Sequence, residues 1–188
     1  AVGGQDNGQQ TLEMLERANL FIVPLDEERR WYRYHHLFVD LLRQRLRQTQ
    51  PEKLPILHIR AGEWFAQQGL NREAIKHSLA AKDYQGAAEL IRAIAVDIIQ
   101  LGEHTTVVGW INAIPDEFVK DQPYMCVLHA WALLYAGQFE GAEARLIDAE
   151  NTLYRLAARK SGLDSFDQKQ KKIILPLLES CLRLMQLK

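Results

Sequence analysis

The residues best equipped for chemistry crowd into one short stretch, WYRYHHLFVDLLRQRLRQ at residues 31–48. It holds four aromatics, two adjacent histidines and four arginines. Three kinds of site could use them. His35, His36 and Asp40 could ligate a metal. Arg29, Arg30, Arg33, Arg43, Arg45 and Arg47 could meet the phosphates of a duplex, and Trp31, Tyr32, Tyr34 and Phe38 could stack on bases.

Each possibility has a structural competitor. Neighbouring histidines are expected to point in different directions. No His-Glu-x-x-His or similar spacing supports a metal at these two or at His58, His77, His104 and His129. One half-buried imidazole and one helix-capping imidazole then account for the pair. Asp26, Glu27, Glu28 and Asp40 interleave with the arginines, and arginines near a helix C-terminus complement its dipole. A solvated face is therefore expected, with no direct DNA contact. The aromatics recur at strand and helix periods that suit a small core equally well, and Trp64 and Trp131 sit on apolar stripes as core residues first.

Nothing elsewhere supplies a reaction centre. The chain has no Gly-x-Ser-x-Gly, no cysteine with a local nucleophile signature and no strand-linked carboxylate pair. A phosphate loop of the Gly-x-x-x-x-Gly-Lys-Ser/Thr type is missing as well. A non-enzymatic protein without a cofactor of its own is expected.

The bulk numbers agree with a globular domain or two. The 188 residues are 47% hydrophobic, and 23 basic residues nearly balance 24 acidic ones, which argues against a general nucleic-acid or membrane-surface binder. Cys126 and Cys181 lie far apart within apolar helical patterns and read as buried free thiols. There is no signal peptide and no long uncharged apolar run, so a cytoplasmic location is expected.

The elements that must carry these residues follow from periodicity. AVGGQDNGQQ at 1–10 reads as a flexible leader, and its start at Ala1 is expected of a piece of a longer protein. Thr11 is a candidate N-cap for a short helix with Leu12, Leu15 and Leu20. LFIVPL, DEERR and WYRYH then read as strand, turn and strand, with Pro24 at an edge. From His36 the period turns helical, with Leu37, Phe38, Leu41, Leu42 and Leu46 on one face. Residues 11–50 thus form a small winged-helix-like α/β unit, and Pro51 and Pro55 mark its end.

Residues 51–188 read as an array of helical hairpins. The stripes are Leu57, Ala61, Trp64 and Phe65; Ala88, Ile91, Ala95 and Ile98; and Ala142, Leu146, Ala149, Leu153 and Leu156. A last helix with Leu175, Leu178 and Leu182 carries a kink at Pro176. Gly69 and Gly102 end helices, Asn71 is a candidate N-cap, Pro115 closes a short helix and Pro123 opens the next. GLNREA, KDYQGA and GQFEGA each place a loop residue five positions before an alanine, a degenerate echo of tetratricopeptide-type repeats. The fold class expected is mostly α, a small winged-helix-like α/β unit followed by a TPR-like helical-hairpin array.

LERANLFIVPLDEERRWYRYHHLFVDLLRQRL resembles a segment of the large MalT-like, ATP-dependent LuxR-type bacterial transcription regulators, which are signal-transducing ATPases. AGEWFAQQGLNREAIKHSLAAKDYQGAAELI resembles the first repeat region of the same family. The two stretches cover roughly residues 11–92 of the chain. The resemblance implies a nucleotide-binding domain before this segment and a helix-turn-helix domain after it. Neither is in the chain, so it implies an internal fragment with an incomplete wing unit and exposed apolar surface.

YHHLFVD is similar to the Met-His-Asp-Leu-x-x-Asp pattern of related ATPases, in which the histidine approaches the phosphate of bound ADP. Tyr34, His35, His36, Leu37 and Asp40 fall on that pattern, with His36 where those ATPases have Asp. His35 is thereby implied as a contact to an ADP phosphate held by a domain outside this chain, and a packed hinge histidine is the alternative. ATP or ADP is implied for the full-length regulator only.

Two functions are open at this point. One is a middle segment that couples sensing of an inducer or protein partner on the repeats to a nucleotide switch domain. The other is a freestanding helical-repeat scaffold for a peptide or protein. In both, the purified chain is expected to show no ATP hydrolysis. Turnover that survives repurification and follows the protein peak would contradict this.

Overall fold

The computed structural model describes residues 7–158, in which nine helices and one two-stranded sheet follow in the order α1 (Gly8–Arg17), β1 (Ile22–Pro24), β2 (Tyr32–Tyr34), α2 (His36–Thr49), α3 (Lys53–Gln67), α4 (Asn71–Ala81), α5 (Tyr84–Gln100), α6 (His104–Asn112), α7 (Asp116–Lys120), α8 (Pro123–Tyr135) and α9 (Phe139–Ala158). The mostly helical class and the helix, hairpin, helix order of the wing are as the sequence predicts. Cys181, the expected Pro176 helix and the first six residues of the expected leader lie outside the described residues.

Several boundaries differ for local reasons. α1 begins at Gly8, so residues 8–10 are helical. Thr11 is inside the helix, where its hydroxyl donates to the Asn7 carbonyl at 3.0 Å and does not cap. Pro55 does not break α3. It is the third residue of that helix, in the first turn, where a missing N–H leaves no intrahelical bond unmade. Asn71 is the first helical residue of α4, and Leu70 stands at the cap position. Beyond Pro115, the five-residue α7 was not foreseen.

The chain divides into two compact units, Ala1–Lys82 and Asp83–Lys188. The first unites the wing with the α3–α4 hairpin, and the 50/51 boundary falls inside it. Trp31, just before β2, sets its ring edge against Trp64 of α3, with centroids 6.0 Å apart.

In the second unit α8 is central, packing on α5, α6, α7 and α9. A helix apolar on every side belongs in an interior, and Met125, Cys126, Val127 and Leu128 are fully buried in succession. Burying a side chain of this size contributes about 1.5–3 kcal/mol. Asp116 meanwhile pairs with both Lys120 and Arg145, and Arg155 reaches Asp121 at 3.4 Å. Hydrogen bonds from Lys120, then Arg145, hold the Asp116 carboxyl below its usual range. Solvent-screened pairs of this kind contribute little. Apolar packing on α8 therefore decides the arrangement, and the ion pairs tie α7 to the outside of α9.

Cys126 donates its thiol to the Val119 carbonyl at 3.2 Å, and burial pushes its pKa up to about 12. Among the described residues no helix is long and apolar enough to cross a membrane.

One buried residue of α8 sets a limit on acid stability. His129 is 3% exposed, and neither ring nitrogen has a hydrogen-bond partner among the described residues. Burial, then the Arg145 charge, pushes its pKa from 6.5 down to about 4, against a smaller opposite pull from Asp116. Between those values the unfolded chain binds a proton that the folded chain refuses. Stability is therefore full above pH 6.5 and falls as the pH drops toward 4, by a total of about 3 kcal/mol from this group. Urea melts at pH 7.5 and 4.5 are expected to show that loss, and His129→Leu is expected to remove most of it. An equal loss in the variant would contradict this assignment.

Candidate functional site

The wing is built to fix the start of α2. β1 and β2 pair antiparallel with Ile22 opposite Tyr34, Val23 opposite Arg33 and Pro24 opposite Tyr32. The connecting loop is organised by Asp26, whose carboxylate accepts from the backbone N–H groups of Arg30 and Trp31, both at 2.9 Å. Arg29 adopts a left-handed φ of 53° within that loop. Its guanidinium lies 3.5 Å from Glu16 of α1, and the Tyr32 hydroxyl donates to Glu16 at 3.3 Å. These contacts tie α1 to the hairpin.

At the open end of the hairpin, the His35 N–H donates to the Phe21 carbonyl at 2.7 Å. The His35 carbonyl in turn accepts from Phe38 and Val39, both at 3.0 Å. One residue thus closes the hairpin with its donor and opens α2 with its acceptor. Phe21 takes a left-handed φ of 56° to present that carbonyl, and its ring lies 5.1 Å from Phe38.

The His35 imidazole makes no capping bond to α2 and is exposed. It stacks on His36, with centroids 4.4 Å apart and planes at 29°. The expectation that the two rings diverge is thus corrected. Side chains of successive residues alternate on a strand and splay on a helix. His35 sits where an extended backbone (φ −56°, ψ 134°) becomes helical, and there both rings turn to one side. Among the described residues no group of three or more His, Cys, Asp or Glu side chains gathers as a metal site.

Of the other positions in the pattern, Tyr34 is half-buried with its ring 6.0 Å from Phe38. Asp40 is exposed and lies 3.8 Å from Arg43. Leu37 is 67% exposed, and Leu41 and Leu42 are exposed too, so the apolar face of α2 is left uncovered by the described residues. The arginines are partly engaged, since Arg30 also meets Glu28 at 2.9 Å.

Electrostatically, the start of α2 is an anion-receiving end. A helix N-terminus carries a partial positive charge and orphan N–H groups. Among the described residues no side chain caps it, and its first turn holds no acid. The replacement of Asp by His36 removes the one carboxylate the pattern would put there. An exposed imidazole at such an end can donate to a phosphate oxygen, more strongly when charged.

Two features escaped sequence reasoning. The first is His129, whose ring nitrogens have no hydrogen-bond partner among the described residues. The second is a pair formed by His58 on α3 and His77 on α4, whose Nδ1 atoms are 2.9 Å apart. These two lie 19 positions apart on different helices, so only the hairpin geometry brings them together.

Comparison with known proteins bears on residues 1–54, which match the family model of the MalT winged helix domain. The HTH-type transcriptional regulator MalT of Serratia proteamaculans (strain 568) is 34% identical over 150 residues, covering 80% of this chain and 17% of that protein. The chain therefore spans about a sixth of the length of this curated relative. No solved structure matches it.

Proposed function

We propose that the chain, which is similar to MalT and opens on a winged helix domain, is a non-enzymatic coupling segment of a transcription regulator. In this reading the start of α2 faces a phosphate of ADP held on a nucleotide-binding domain of the same regulator. The repeats of α3 onward report an inducer or protein partner, and a helix-turn-helix domain of the regulator carries the output. The observation that carries the reading is the exposed His35 at an uncapped helix N-terminus with no acid in its first turn.

When bound, ADP supplies the negative charge that this end receives. His35 donates to it, the α2 dipole adds attraction, and the Phe21 carbonyl keeps the start of α2 in register with the hairpin. The uncovered face of Leu37, Leu41 and Leu42 supports the same reading. Large exposed apolar patches mark packing surfaces, and a neighbouring domain that covers this one would bring its nucleotide close to His35. An inducer then acts by binding the state in which this contact is open more tightly than the closed one.

The test is His35→Ala in the intact regulator. Transcription without inducer is expected to rise several-fold at normal protein level. Unchanged basal transcription at normal level would remove His35 from the switch.

A further inference from the structure

The contact between His58 and His77 has a chemistry of its own. α3 and α4 are joined by a three-residue turn, Gln68 to Leu70, with Gly69 at a left-handed φ of 73°. They approach closely at Gly62, which is buried. A methyl group there would touch the Ser78 hydroxyl at 3.4 Å, the Ala74 carbonyl at 3.5 Å and the His77 Cβ at 3.6 Å. One turn before Gly62, His58 meets His77, with ring centroids 5.1 Å apart. Phe65 stacks on His77 at 5.3 Å with planes at 19°. Both imidazoles are half-buried.

A bond between two Nδ1 atoms needs one proton between them. When both rings are neutral, one donates Nδ1–H and the other accepts with its lone pair. When one ring is an imidazolium, the donor is charged and the bond strengthens. When both are charged, each Nδ1 carries a hydrogen and no acceptor remains. The bond is then replaced by repulsion between like charges at contact distance.

We propose that this pair is a proton-operated latch on the first helical hairpin, closed while it carries at most one positive charge and released when both rings are charged. The charged groups around it bias the second protonation. On α2, Arg43 opposes it, and on α4, Glu73 favours it. Burial, then the facing His58, then Arg43 lower the His77 pKa, and Glu73 opposes them. Release acts on the wing through α3. Phe65 leaves its stack on His77, and its neighbour Trp64 carries the edge contact to Trp31 beside β2. Acidification thus loosens α3 from α4 and weakens the tie between the hairpin and the repeats.

The experiment is an NMR titration of the ring nitrogens of the full chain from pH 8 to 4.5, with amide exchange followed in α3 and α4. The pair is expected to titrate in two coupled steps. Amide protection in α3 and α4 should drop with the lower step only. His58→Asn should move the His77 transition upward, and His77→Asn should abolish the lower step. Should one of these variants not fold, the other and the wild-type protection profile carry the test. A His77 transition unmoved by His58→Asn, or protection unchanged once both rings are charged, would overturn the latch.

Discussion

The hydrogen bond from the His35 N–H to the Phe21 carbonyl is the constraint on which the wing depends. Without it the two short strands are a three-pair ribbon, and the direction of α2 is free. The bond requires Phe21 to hold a left-handed backbone, which costs a bulky residue about 1–3 kcal/mol. The bond returns about 0.5–1.5 kcal/mol, and the contact between the Phe21 and Phe38 rings returns a similar amount. Strain and compensation are of the same size, so the conformation stands only while Phe38 is in place. Phe38 lies in the first turn of α2 and therefore locks the helix to the strand that starts it. The outcome is a rigid helix N-terminus with an imidazole left outside it.

Beyond the wing, a second rule repeats. Gly69, Lys82, Gly102 and Gly137 all take left-handed backbones at helix ends. Five residues after each stands a fully buried residue, Ala74, Ala87, Val107 and Ala142 respectively. A left-handed terminator satisfies the last carbonyls and turns the chain back sharply. At Gly69, Gly102 and Gly137 the next helix packs back on the one just ended, and a small or β-branched side chain fits there. Three of the four were legible in GLNREA, KDYQGA and GQFEGA. The fourth was missed because valine replaces the alanine that served as the marker. Lys82 shows that the backbone position matters more than glycine itself.

What the sequence concealed is mostly tertiary. The hairpin, the start of α2 at His36, the stripe of α5 and Pro123 at the head of α8 all follow from local rules and were readable. Pro55 misled because a proline that breaks a helix interior is harmless in a first turn. The stacking of His35 on His36 depends on a change of backbone class between two neighbours, which residue spacing does not encode. His58 and His77 meet only after a hairpin forms. His129 sits on an apolar helix face, where an imidazole is not distinguishable in sequence from one that finds a partner. The face of Leu37, Leu41 and Leu42 obeys helical periodicity, yet periodicity does not say whether the partner surface lies within the same segment.

In the proposed switch, the wing offers the start of α2 to a phosphate through His35. The most direct measurement is the equilibrium affinity of the intact regulator for ADP, with His35 and with alanine in its place. A lost charge-assisted hydrogen bond weakens ADP binding by about tenfold or more. The same ADP affinity in both proteins would contradict the account.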